Sequence, residues 1–240
     1  MTTREEMLSR VRNALGTPPE GSIAPPPSAF DPTGVMPPLA PEDYLGKFET
    51  EWEKVSGVAY RITSMDELES IFKKILLRAE TQFVSLSRNP LLAELHLPER
   101  LSALEKVVTS WQVSPGGTET TSLPDYNKAS FHAGVGITGV DYVLAETGTL
   151  VLSSATEGGQ IASLAPPIHI ALYRRSQLLG SLDEVLAKLQ PSYPTGQSSL
   201  GRSIVFVTGT SRTADIEQIL IRGVHGPGEA HAILVEDSCR

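Results

Sequence analysis

Read for hydrophobic spacing, the chain opens on a helical pattern. Between Thr3 and Leu15 the apolar residues Met7, Leu8, Val11 and Leu15 recur at helical intervals, with Arg4, Glu5, Glu6, Arg10 and Arg12 around them. That is an amphipathic helix. From Pro41 onward the pattern switches repeatedly between periods. Helical spacing occupies Glu42–Val55, Met65–Ala79, parts of Pro90–Leu104 (interrupted at Pro98), Asp125–His132, Leu182–Leu189 and Thr213–Ile221. Ser64 is placed to cap the second of these, with Glu67 three residues on, and Ser181 caps the helix at Leu182. Short strand patterns fall at Val58–Ile62, Gln82–Leu86, Val107–Val113, Tyr142–Ala145, Thr149–Leu152, Ile168–Tyr173, Ser203–Thr208 and His231–Val235. Strands alternating with helices of this length predict an α/β fold, a mainly parallel sheet flanked by helices.

Between the first helix and this block lies a proline-rich tract, Thr17–Pro41, with prolines in runs at Pro18–Pro19, Pro25–Pro27 and Pro37–Pro38. Proline fixes φ and lacks a backbone donor, so the tract reads as an extended linker. The expected organisation is a helical arm over 1–16, a linker over 17–41 and an α/β domain over 42–237. The arm reads equally as a docking element for another subunit or as a helix packed on its own domain.

Composition narrows the function classes. Hydrophobic residues at 40% and charged residues at 20% suit a domain with a real core. No apolar run reaches the roughly eighteen residues of a transmembrane helix, and the charged N-terminus lacks the apolar stretch of a secretory signal. A net charge of −8 with scattered basic residues disfavours nucleic acid and anionic membrane surfaces as partners. The single cysteine, Cys239, stands one residue from the C-terminus, where fraying is expected. One thiol forms no internal disulfide, so a reducing, cytoplasmic location is expected.

Chemistry concentrates in two stretches. In GITGVDYVLAETGTLVLSS (Gly136–Ser154), Val143, Ala145, Leu150 and Leu152 alternate with polar or small residues, the pattern of a hairpin with one buried face. Its tight turn at Thr147-Gly148 would aim the Glu146 carboxylate outward, where it can act as a general base or nucleophile; the plainer role is capping a turn or pairing with an arginine. GVGITG (Gly134–Gly139) fits the letters of a dinucleotide fingerprint. It leads into a strand pattern, however, where that fingerprint must open a helix.

The second stretch runs from a strand through Gly209, Thr210, Ser211 and Arg212 to the helix expected at Thr213. A tight glycine turn, free N–H groups and a guanidinium suit a phosphate or carboxylate; an ordinary capped helix is the alternative. Thr138 joins the candidate ligand-binding residues. Asp215 falls in that helix's first turn, where it complements the dipole or takes part in catalysis. His225, in the rigid turn HGPG, is a candidate acid–base group. His169, inside IHIAL, reads as a core or sheet-edge histidine. No close ligand spacing supports a metal site.

GITGVDYVLAETGTLVLSS, SLAPPIHIAL (Ser163–Leu172) and TGTSRTADIEQILIRGVHGPGEAHAILVED (Thr208–Asp237) together resemble the lactate utilisation protein C family, whose members carry the LUD domain. The resemblance spans roughly Gly57 to Asp237. It implies a fold akin to the phosphosugar isomerase and CoA-transferase-like proteins and a part in bacterial oxidation of L-lactate to pyruvate. It also implies iron–sulfur partner proteins that would hold the clusters; with no cysteine cluster and no flavin or nicotinamide fingerprint, this chain itself is expected to bind no cofactor. Three roles are open at this level: an accessory subunit of that system, an enzyme acting on a phosphorylated sugar or CoA ester, or a sensor of a small organic acid with Arg212 clamping the carboxylate.

Overall fold

The computed structural model describes residues 3–15, 39–111, 123–189, 201, 203–214 and 220–239. The chain divides into two units at Pro38. In the first, helix α1 (Arg4–Leu15) is capped reciprocally: the Glu6 N–H donates to Thr3 Oγ1 at 3.3 Å, and Glu6 Oε2 accepts the Thr3 N–H at 2.8 Å. Its apolar Met7 and Val11 are exposed.

The second unit contains, in order, α2 (Tyr44–Lys54), β1 (Gly57–Ile62), α3 (Met65–Arg78), β2 (Phe83–Leu86), α4 (Pro90–Glu94), α5 (Leu97–Ala103), β3 (Val107–Ser110), α6 (Leu123–His132), β4 (Val135–Thr138), β5 (Tyr142–Leu144), β6 (Thr149–Ser153), α7 (Ser154–Glu157), β7 (Ile168–Tyr173), β8 (Leu178–Leu179), α8 (Leu182–Leu189), β9 (Ile204–Val207), β10 (Arg212–Ala214), β11 (Leu220–Arg222) and β12 (Glu229–Val235). Six strands form one sheet in the order β1-β12-β7-β4-β2-β3, and every pairing is parallel. A four-stranded mixed sheet, β8-β5-β6-β9, and the antiparallel ribbon β10-β11 complete the architecture. The α/β, mainly parallel reading therefore holds, with the hairpin and β9 set apart in the second sheet.

Alternation along the parallel strands divides the core. Ile168, Ile170 and Leu172 of β7, with Val135 and Ile137 of β4, face Phe72 and Ile75 of α3 and Leu97 and Leu101 of α5. The other face carries the small residues Ala171, Ala230 and Ala232 beside Tyr173 and Leu234, and against it pack Phe48 and Trp52 of α2 and Val143, Leu150 and Leu152 of the second sheet. Small side chains let a second layer approach the sheet closely. At Gly136 the approach leaves no room at all: a β-carbon there would overlap the Ala162 carbonyl oxygen.

Ser64 caps α3 as the spacing predicts, accepting the Glu67 N–H at 3.3 Å, while the Glu67 carboxylate reaches back to the Thr63 N–H at 2.7 Å. Four expectations need correction. The break in 90–104 falls at His96, which takes φ +52°, and Pro98 instead sits in the first turn of α5, where its missing N–H costs nothing. The hairpin β5-β6 is buried on both faces, because Leu144 and Val151 pack under α8 with Leu179 and Val185. Cys239 is buried: its N–H donates to the Glu236 carbonyl and its thiol to the Ile62 carbonyl at 3.5 Å, folding the tail onto the core.

The fourth correction concerns 213–221. Thr213 and Ala214 are extended and pair with Ile221 and Leu220, and Arg212 pairs with Arg222. The apolar spacing of Ile216, Ile219 and Leu220 mimics a helix, but β-branched Thr213 and Ile221 suit a paired ribbon, which the Gly223 N–H closes on the Ser211 carbonyl at 3.0 Å. The helix N-terminus expected to hold an anion is therefore absent at Thr213. Asp215 lies outside the described residues.

Candidate functional site at the carboxyl edge of the parallel sheet

The parallel sheet has one reversal of winding. From β2 the chain passes outward to β3; from β4 it passes the other way, to β7. β2 and β4 are neighbours in parallel register, so their carboxyl ends flank the crevice where open α/β sheets bind ligands. Residues Ser87, Arg88 and Asn89 leave β2 at this point, and Gly139, Val140 and Asp141 leave β4.

Into the crevice α7 delivers Glu157, which has no exposed surface. Ser87 Oγ donates to Glu157 Oε2 at 2.5 Å, the Gly139 N–H donates to the same oxygen at 3.2 Å, and Asn89 Nδ2 donates to Oε1. The Thr156 hydroxyl lies 3.3 Å from Glu157 Oε1 and 3.0 Å from Asp141 Oδ2; with one proton it serves one carboxylate at a time. Asp141 in turn accepts the Ser153 N–H at 2.6 Å, fixing the start of α7. Burial raises the Glu157 pKa to about 7, with the Asp141 charge adding to the rise and the Ser87, Asn89 and Thr156 hydrogen bonds opposing it. A carboxyl group shifted this far by burial, at the switch point of the sheet, marks a candidate proton-handling or anion-sensing site.

The segments that hold Glu157 also carry an arginine and an unsatisfied donor. Arg88 donates from its Nη2 to the carbonyls of Ala155 at 2.6 Å and Ser154 at 3.3 Å, and its backbone N–H holds the Glu157 carbonyl at 3.1 Å. The guanidinium is half-buried, held by neutral oxygens, and keeps its remaining N–H groups. Trp111, at the end of β3, packs on Gly158 and edge-on to Tyr126, and its buried indole N–H has no hydrogen-bond partner among the described residues. An unpaired buried donor is the kind of group a ligand satisfies.

The residues singled out from sequence are distributed over other places. Glu146 stands at the hairpin turn as expected, half-buried, and its Oε1 accepts the Leu182 N–H at 2.8 Å, capping α8. Gly148 completes the turn at φ +61°, pressed against the Trp52 backbone. A chain of hydroxyls, Thr147–Thr149–Thr208 at 2.8 Å each, joins this turn to the loop containing Gly209, Thr210 and Ser211. So the two stretches do meet. Gly209 takes φ +77° over Val55, the Thr210 side chain is buried, and Arg212 donates to Ser56 Oγ at 2.7 Å. Thr213 pairs in the ribbon. His225 is exposed on the turn before β12, whose Pro227 carbonyl accepts the Ser211 N–H at 2.8 Å.

Thr138 and His169 meet in the core, Thr138 Oγ1 lying 2.9 Å from His169 Nε2; burial drives the His169 pKa down to about 3, so the ring is neutral. His169 sits in a central strand with no exposed surface, a core histidine. GVGITG forms β4 and its exit: Gly139 is needed because Asn89 fills the space of a β-carbon, and its N–H holds Glu157. Sequence reasoning missed Glu157, Arg88 and Asn89. Their signal was polar residues, SRN and GVD, placed directly after strands. Nothing local tied them to ATEGG.

The residues present do not fit an iron–sulfur cluster. The one thiol is buried on a backbone carbonyl, and among the described residues no group of three or more His, Cys, Asp or Glu side chains is placed to hold a metal ion. Among those residues, too, no helix is long and apolar enough to cross a membrane.

Comparison with known proteins extends this picture. The LUD domain model matches residues 45–235. A lactate utilization protein C from Halalkalibacterium halodurans is 43% identical over 105 residues, covering 44% of this chain and 45% of that protein. A lactate utilization protein C from Oceanobacillus iheyensis is 28% identical over 237 residues, 97% of this chain and 98% of that one. The match thus spans less than half of the first relative and nearly all of the second. In structure, the chain is similar to a crystal structure of a DUF162 family protein from Deinococcus radiodurans, with TM-score 0.56 and 21% identity over 82% of this chain and 99% of that one, which shows a shared fold.

Proposed function

Starting from the fact that this chain belongs to the LUD domain family, we propose that it serves bacterial lactate utilisation by binding a small carboxylic acid at the carboxyl edge of its parallel sheet. The observation that carries this reading is the placement of Glu157: a fully buried carboxyl group at the reversal point of an open α/β sheet, held by Ser87, Asn89 and Gly139, with the Arg88 N–H bonded to the Glu157 backbone carbonyl. The names of the relatives supply the metabolic setting.

Arg88 is the clamp for the ligand's carboxylate, since its planar fork matches that group. Glu157, tied to Arg88 through the backbone, responds to the arriving charge. A second negative charge nearby disfavours the ionised form of Glu157, so binding draws a proton onto it. Oxidation of a 2-hydroxy acid releases electrons as well as protons. With a single buried thiol in this chain, we assign the electron-carrying step to iron–sulfur partner proteins and the ligand-holding role to this one.

The test is genetic. Deleting the gene should abolish growth on L-lactate, the wild-type chain should restore it, and Arg88→Ala should fail to do so at equal protein level. Undiminished growth of the deletion strain on L-lactate would remove the lactate reading. A second reading, an enzyme or sensor with its ligand at Glu146, Arg212 and His225, draws support from the hydroxyl chain that joins the Glu146 turn to the Thr208–Arg212 loop. Full complementation by Glu146→Gln would leave that carboxylate the capping role alone.

A further inference from the structure

The amino-terminal edge of the parallel sheet carries chemistry that the site at Glu157 does not use. The turn RGVHGPG (Arg222–Gly228) leads from the ribbon into β12. It is pinned at its base: the Ser211 N–H donates to the Pro227 carbonyl at 2.8 Å, and the Gly228 N–H to the Pro167 carbonyl at 2.9 Å. Gly223 takes φ +79°, and a β-carbon on it would stand 3.2 Å from Gly228 Cα. The turn is therefore drawn shut by two glycines, and Val224 and His225 are left exposed on it.

Two cavities meet over this turn, with Pro167 and Gly223 lining both. One, of about 490 Å³, is walled by Arg78, Arg222 and Glu229. The other, of about 390 Å³, is walled by Phe131, Ile161, Leu164, Val224 and His225. Each volume falls within the range of small-molecule sites, and the two halves differ in kind.

In the charged half Arg78 is ion-paired with Glu229, which orients it, while Arg222 has no ionic partner among the described residues. Arg222 stands directly opposite Arg212 on the ribbon. Like charges in that position destabilise an antiparallel pair, and an anion at Arg222 relieves the repulsion. In the apolar half Phe131, Leu164 and Val224 are 69%, 42% and 52% exposed, large side chains gathered around one cavity. Such clustering marks a surface that something covers.

We propose that this groove binds a small anionic amphiphile: Arg222, with Arg78 beside it, holds a carboxylate or phosphate head, and Phe131, Leu164 and Val224 cover the apolar body. His225 closes the apolar half beside the body. The site lies at the opposite edge of the sheet from Glu157 and stands or falls independently of the lactate reading.

Calorimetric titration of the full chain with octanoate, octyl phosphate (below micelle formation) and inorganic phosphate tests this. Both amphiphiles should saturate at one per chain, their ratio of affinities telling which head group the arginines prefer. Arg222→Ala should weaken both by about tenfold or more, the effect of losing a charge-assisted bond, and Arg222→Lys should restore part of it. The double variant Phe131→Ala with Val224→Ser should weaken the amphiphiles and leave inorganic phosphate unchanged. Circular dichroism confirms that each variant is folded. Absence of saturable binding, or binding indifferent to these substitutions, would overturn the proposal. So would a concentration-dependent dimer lost in Val224→Ser, which would assign the patch to contact between copies.

Discussion

At Glu157 two physical effects oppose each other, and their balance sets the behaviour of the site. Burial favours the neutral acid; the donors from Ser87, Asn89 and Thr156 favour the carboxylate; burial wins, leaving the pKa at about 7. A folded-state value raised above the usual one means that the folded protein holds a proton that the unfolded chain has released. Glu157 therefore contributes stability fully below pH about 4.5, and that contribution is lost as pH rises through about 7. At about 1.4 kcal/mol per pKa unit the loss amounts to about 3 kcal/mol. Urea unfolding of the wild type at a series of pH values should show this decline, and Glu157→Gln should flatten it; parallel curves would contradict the assignment. Linkage gives a companion expectation. Acid ligands should bind more tightly at pH 6 than at pH 8, since the neutral form of Glu157 tolerates a nearby anion, and the difference should vanish in Glu157→Gln.

Among the elements, the hairpin β5-β6 was the most legible. Alternating apolar residues and the Thr147-Gly148 turn place its strands to within a residue, because hairpin register is a local property. Its second buried face was not legible, since Leu144 and Val151 find Leu179 and Val185 only through tertiary packing. The ribbon β10-β11 shows the reverse failure: its apolar spacing imitates a helix, while its strands pair and are closed by the Gly223 N–H on the Ser211 carbonyl. At the hairpin turn, Gly148→Ala should destabilise the protein by about 2 kcal/mol or more, combining an unfavourable φ with overlap against the Trp52 backbone. Thermal melting checks it. Glu146→Gln keeps an acceptor for the Leu182 N–H and should shift stability little, whereas Glu146→Ala should cost about 1 kcal/mol through loss of the cap.

For the whole molecule, strand order is what assembles the site. Ser87, Gly139 and Glu157 come from three separate segments and meet because β2 and β4 are neighbours while their outgoing connections run in opposite directions. A single sequence shows each strand but not which strands lie side by side, so the alternation of helix and strand revealed the fold class and left the crevice hidden. The same limit explains why Glu146, exposed to view by its motif, drew attention that Glu157 did not. The lactate reading rests on this assembled edge, and one measurement addresses it most directly: calorimetric titration of the full chain with L-lactate and pyruvate, wild type against Arg88→Ala. Saturable binding to the wild type, weakened about tenfold or more in a folded Arg88→Ala protein, is the predicted result. No binding of either acid to the wild type, or equal affinity in Arg88→Ala, would contradict it.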